Sequence, residues 1–214
     1  MKRIAPLLAI CALTASATII DRIAVSVGNR AITASDLDRE IRITAFLNGV
    51  KPDFSPSARR TAAGRMVEQT LVRMEVETSR YPVPTPDEVQ AALDTFKKQN
   101  YPDDAAYKRA LTAYGITEQD VINELLWQRT LLSYIDIRFR AVVQVSDQEI
   151  EDYFQKFVKP AAEAAHPGRP VTRDQYHDQI EGTLASLKED DELNRWLTQA
   201  KQRYEIVYHD EAFQ

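Results

Sequence analysis

The sequence predicts a mainly helical protein of about seven helices, with a small β element formed by an N-terminal hairpin and a C-terminal strand. Three observations carry this prediction. Only 6 of the 214 residues are Gly, too few for an architecture of many strands and tight turns. Helix-start signals recur along the chain, each a Ser or Thr followed by Pro or, three residues later, by an acidic or amide side chain. Apolar alternation marks two short stretches, residues 23–33 and 204–210.

Taken in order, "MKRIAPLLAICALTASA" opens with Lys2 and Arg3, continues through an apolar run from Ile4 to Leu13, and reaches the small-residue motif Ala15-Ser16-Ala17. This is the layout of a secretion signal cleaved after Ala17, and the apolar run is too short to span a bilayer. A lipoprotein would use Cys11, but bulky Ile10 precedes it. Next, Ile23, Val25 and Val27 alternate with Ala24 and Ser26 before the turn pair Gly28-Asn29, which reads as a hairpin. Two short strands need a third partner in water. "YEIVYHD" (204–210) is the candidate, and its pairing would bring the two ends of the chain together.

Between the ends, Ser35 with Asp38 predicts the start of the first helix, and Ser55-Pro56 opens a run through Arg80. Thr85, Pro86 and Glu88 open a helix to about Gln99; a fourth runs from about Asp104 to a stop at Gly115. Thr117 with Asp120 opens a helix to about Arg138, and Ser146 with Glu149 one that ends before Pro160. Thr172 with Gln175 opens the last, interrupted by the charge run "KEDDE" (188–192), which reads as a solvated face. Ala63, Met66, Val67, Thr70, Leu71 and Met74 form one stripe on the second helix. The fifth is apolar over most of its circumference, with Val121, Leu125, Leu132 and Ile135 on one side and Trp127, Leu131 and Tyr134 on another. It is expected to pack against several neighbours. The mature chain reads as a single module: an N-terminal part (18–158), a connection (159–171), and a C-terminal helix and strand (172–214).

Composition narrows function. Cleavage after Ala17 would remove two basic residues and take the formal charge from −5 to −7, which argues against a nucleic-acid partner. It would also remove the only Cys, so no disulfide is expected, and after cleavage no stable membrane insertion. The histidines, His166, His177 and His209, are spaced by 11 and 32 residues and match no metal-site template. No phosphate-binding loop, dinucleotide fingerprint or nucleophile elbow occurs, so the expectation is no metal, no cofactor and no enzymatic activity. Asp38, Glu88, Asp120 and Glu149 read as first-turn residues facing the positive helix end.

The order of motifs is itself informative. "DRIAVSVGNRAITASDLDREIRITAFLNG" is followed by a helix ending "LVRMEVETSR", then by "PTPDEVQAALDTFKKQN", "AAYKRALTAYGITEQDVINELLWQRTLLSYI" and "VVQVSDQEIEDYFQKF". Over about residues 20–158 this resembles the chaperone module of SurA-type periplasmic proteins, related in plan to PpiD and PrsA. The last helix and strand resemble the segment that completes that module. In the family, one or two parvulin-type peptidyl-prolyl isomerase domains of about 90–100 residues follow the "VSDQEIEDYF" helix. Here only "KPAAEAAHPGRPV" (159–171) separates it from the last helix, and no "ARHIL" strand occurs.

The resemblance implies an ATP-independent envelope chaperone in the periplasm, or otherwise secreted, that binds unfolded or extended secreted and outer-membrane polypeptides without isomerase activity. Pairing with a second copy as a homodimer stays open. Such a protein needs adaptable apolar surface, for which Met and aromatic side chains are suited. The candidate peptide-binding residues are Phe46, Leu47, Phe54, Met66, Met74, Tyr101, Tyr107 and Tyr114, with ordinary core packing as the competing role for each. Two other functions stay open: a dedicated assembly factor with one specific partner, and a peptidyl-prolyl isomerase with an unrecognised site.

Overall fold

The structure is a computed structural model and describes residues 21–79 and 81–214. The expected secretion signal, residues 1–17, lies outside the described residues.

Strands β1 (Ile23–Val27) and β2 (Arg30–Thr33) form the expected hairpin, with Val27 opposite Arg30 and Gly28-Asn29 as the turn. Gly28 carries a positive φ of 57°, and a side chain there would meet the Tyr204 ring at 3.2 Å. Only glycine satisfies both demands. Strand β3 (Ile206–Tyr208) pairs antiparallel on the other side of β1, giving the order β2-β1-β3. The third strand that the hairpin requires therefore comes from the far end of the chain. Ala24, Val25 and Val27 of this central strand are buried.

The helices are α1 (Ala34–Leu47), α2 (Pro56–Thr78), α3 (Pro86–Asn100), α4 (Asp104–Tyr114), α5 (Glu118–Arg138), α6 (Asp147–Tyr153), α7 (Lys159–Ala165) and α8 (His177–Arg203). A π-helical turn, Phe154–Val158, joins α6 to α7 without a break, so the described residues form seven helical rods. Ser55, Thr85, Thr117 and Ser146 cap their helices as the sequence predicts, and Gly115 ends α4 in the left-handed conformation.

Four expectations are corrected. The cap of α1 is Thr33 with Asp36, not Ser35 with Asp38; the Ser35 hydroxyl is bonded instead to Asp21. Pro160 does not end the sixth helix. The preceding π turn, in which the Lys159 N–H reaches the Phe154 carbonyl, widens the backbone where a proline ring would otherwise collide with an α-helical carbonyl. Thr172 and Gln175 form their reciprocal pair around a 3₁₀ turn, Arg173–Gln175, and α8 begins only after Tyr176. Finally, "KEDDE" does not interrupt α8. Lys188 donates to the Gln144 carbonyl at 2.6 Å and pairs with Glu149 at 2.6 Å, and Glu189 pairs with Arg140 at 3.6 Å, while Asp190 and Asp191 face solvent.

Three apolar cores hold these elements. The main core joins the sheet to α1 (Leu37, Ile41), α2 (Val67, Leu71), α5 (Trp127, Tyr134) and α8 (Trp196, Leu197), closed by Phe213 near the C-terminus. The second gathers Ile43 and Phe46 of α1, Leu93 of α3, Tyr107 and Leu111 of α4, Ile116, and Val121 of α5. The third is small: Ile150 and Phe154 against Ile180, with Tyr153, Val158, Val171, Tyr176 and Leu184 around them. Helix α5 feeds two cores, as its wide apolar face predicts, but Leu132 points to solvent at 67% exposure rather than joining Val121 and Leu125.

The second core turns on Phe46, whose ring lies 5.4 Å from that of Tyr114, 5.7 Å from Phe96, 5.9 Å from Tyr101 and 6.1 Å from Tyr107. Phe46→Ala is expected to destabilise the fold by about 3–5 kcal/mol in chemical denaturation, the usual cost of emptying an aromatic core position. Gly115→Ala is expected to cost at least about 1 kcal/mol. It places a side chain at a φ of 66° and 2.8 Å from Nη1 of Arg42, the group that donates to the Tyr114 carbonyl at 3.0 Å.

Candidate functional site

An open cleft of about 540 Å³ lies between α1, α2 and α5. Each helix contributes one stripe at i, i+4, i+7 spacing: Asp36, Glu40 and Ile43 from α1; Met66, Thr70 and Arg73 from α2; Asp120, Glu124 and Trp127 from α5. All three helices also pack into the main core, with Trp127 and Met66 shared between core and cleft, so the cleft is lined by helices rather than loops.

Most of the charges in this cleft are already occupied. Asp36 and Asp120 are the third-position carboxylates in the capping boxes of α1 and α5, and Arg39 lies between them at 3.7 and 4.0 Å. Glu77 is paired with Arg30. Two carboxylates and one guanidinium remain. Glu40 is 91% buried and receives a single 3.3 Å hydrogen bond from the Thr44 hydroxyl of its own helix. Glu124 accepts one from the Gln128 amide at 3.0 Å. Neither forms an ion pair among the described residues. Arg73 stacks on Trp127, its guanidinium carbon 3.9 Å from the ring centroid.

Burial pushes the Glu124 carboxyl above its ordinary range, the Glu40 charge adds to this, and the Gln128 hydrogen bond and Arg73 offset part of it. Burial likewise holds Arg73 below the usual arginine range against the pull of Glu124, Glu40 and Glu77. The cleft is thus an acidic hollow with an aromatic floor and apolar walls of Ile43, Met66, Val76 and Leu126.

The sequence-predicted binding residues scatter relative to this cleft. Met66 lines it. Phe46 and Tyr107 are fully inside the second core, and Leu47, Tyr101 and Tyr114 pack around it, with the Tyr114 hydroxyl donating to the Val50 carbonyl at 2.9 Å. Phe54 packs on the edge of the main core beneath the guanidinium of Arg42, 5.0 Å from its ring centroid. Met74 is half-buried on α2. Five of the eight residues therefore meet one another, as core. Glu40, Arg73, Glu124 and Trp127 were not predicted; the one local sign was Glu40, a charge on a helix face shared with Leu37 and Ile41.

The histidines lie apart. His166 is exposed in the turn after α7, and His209 faces the Ser26 hydroxyl at 3.4 Å. His177, Asp178 and Glu181 bring ligand-type atoms within 4.8 Å of one another on the exposed start of α8, beside the Arg173–Asp147 pair at 3.2 Å. Among the described residues no helix is long and apolar enough to cross a membrane. Searches of protein-family models and of curated proteins find no match to this chain.

Glu124→Gln is expected to raise the melting temperature at pH 7, because it removes a charge that burial and Glu40 disfavour. A carboxyl raised in the folded state binds its proton more tightly there than in the unfolded chain. Wild type therefore loses stability relative to the variant as pH rises from about 4.5, the ordinary value, through the raised one. Melting curves from pH 4 to pH 8 should show the two converging at the acid end.

Proposed function

We propose that this chain is an ATP-independent chaperone of the cell envelope, a SurA-type core without isomerase domains, that holds unfolded or extended polypeptides. The observation that carries this reading is the open cleft of about 540 Å³, which joins apolar walls, a thioether and an indole to adaptable charged side chains. Flexible, mixed surfaces of this kind accept many sequences in place of one. Exposed apolar side chains elsewhere extend the contact area available to a client, notably Leu132 and Ile137 on α5, Val142 after it and Leu187 on α8.

Two features of the fold support the resemblance. The termini of the module meet in the β2-β1-β3 sheet, so the chain closes on itself. The exposed turn after α7, residues 166–170, separates α7 from the 3₁₀ turn that leads into α8, beside the third core. This is the junction where SurA-type proteins carry an inserted domain, and it is a surface at which insertion leaves the other two cores untouched. Isomerase activity is no part of the proposal.

The test is an aggregation assay with two chemically unfolded clients, one β-barrel protein and one unrelated soluble protein. Light scattering from both should fall at roughly stoichiometric ratios of the purified chain, without nucleotide. Protection of neither client, together with tight binding to a single folded partner, would instead establish a dedicated assembly factor. Acceleration of a proline-limited refolding reaction would establish an isomerase.

A further inference from the structure

We infer that the α1–α2–α5 cleft is a receptor for arginine, seating a guanidinium from an apolar stretch of the client polypeptide on Trp127 beside Glu40 and Glu124. The inference rests on the client-binding reading above and names the client chemistry that the cleft selects.

Four observations converge on a cationic occupant. Glu40 is more than nine-tenths buried in the cleft wall, yet among the described residues it has one long hydrogen bond and no cation within 4.0 Å. A buried carboxylate left in this state stands to gain from a charge-assisted partner. Glu124, across the cleft and half-buried, also has no ion pair among the described residues and feels the repulsion of Glu40. Next, the face of Trp127 already holds a guanidinium, that of Arg73 at 3.9 Å. Arg73 makes no hydrogen bond or ion pair among the described residues, so its donors are not spent on the neighbouring carboxylates. It shows that the indole face accepts a planar cation, and it stands where a client's arginine would stack. Last, the walls beside this spot are Ile43, Met66, Val76 and Leu126, which suit apolar residues on either side of the arginine. An incoming guanidinium would displace Arg73 from the indole and, not being tethered to α2, is free to turn its donors toward Glu40 and Glu124.

The other clusters carry less. The His177–Asp178–Glu181 group is exposed and close to the Arg173–Asp147 pair, and nothing in the structure shows what covers the exposed side chains of α5 and α8.

The experiment uses the whole chain and two fluorescein-labelled peptides of identical apolar sequence, one with a single central arginine and one with citrulline, its neutral isostere. By fluorescence anisotropy at low salt, the arginine peptide is expected to bind about 5–10-fold more tightly, the worth of one desolvated cation–π and carboxylate contact. Glu124→Gln should cut that ratio to under about twofold, and so should a rise in salt to about 0.5 M. Arg73→Ala, which vacates the indole face, should widen it. Asp190→Asn, which changes a solvent-facing carboxylate on α8, should leave the ratio as it was and controls for net charge.

Equal binding of the two peptides overturns the inference, and that comparison needs no variant to fold. A preference that survives Glu124→Gln places the arginine elsewhere and overturns it too. Equal peptide binding with aggregation of both clients still suppressed removes only the arginine site. If neither peptide binds and neither client is protected, the chaperone reading falls with it.

Discussion

The structure depends on two helices that must each serve two cores. Helix α1 gives Leu37 and Ile41 to the main core and Ile43 and Phe46 to the second. Helix α5 does the same in the opposite sense, Val121 to the second core and Trp127 and Tyr134 to the main one. Neither core can be repacked without moving the other, because a helix transmits displacement along its length. The cleft follows from the same constraint. Near the point where α1 and α5 pass from one core to the next, Glu40 and Glu124 line the gap between them. Closing it would bury two carboxylates without partners, at a cost of several kcal/mol, so the gap stays open.

The arm built from α6, the π turn and the start of α8 obeys a looser rule. Its core has three buried side chains, Ile150, Phe154 and Ile180, and much of its outer surface is charged. Helix α8 runs on from it into the main core through Trp196 and Leu197, and polar contacts tie it to α6. Lys188 reaches across to Gln144 and Glu149, and this contact, with the Ser146 cap, pulls the Glu149 carboxyl down to about 2. Such exposed contacts orient more than they stabilise.

The candidate binding residues show where local information runs out. Phe46, Tyr101, Tyr107 and Tyr114 were singled out for their size and for their place near connections. Those properties describe the seam of a small core equally well as the rim of a groove. Deciding between them requires knowing that α3 and α4 fold back over α1, which no periodicity in either helix states. The cleft was harder still. Arg73 and Trp127 are 54 positions apart on separate helices, and the value of each to a ligand depends on the other being 3.9 Å away. Only Glu40 left a local trace, a charge where the stripe of α1 is otherwise apolar.

By itself the sequence determined the kinds of element and nearly all of their boundaries, since caps, turn glycines and apolar periods act over four or five residues. Thr85 with Glu88, Thr117 with Asp120, Gly28 and Gly115 needed no distant partner to do their work. It determined also that the hairpin required a third strand and that "YEIVYHD" was made to be one. Where a boundary moved, at Thr33, at Pro160 and at the start of α8, a neighbour in space or a change of helical register intervened. The tertiary structure alone decided which apolar faces became core, that α1 and α5 would be shared, and that two carboxylates would end beside an indole carrying a cation. Those outcomes rest on burial and through-space charge, and both come into being only when the helices meet.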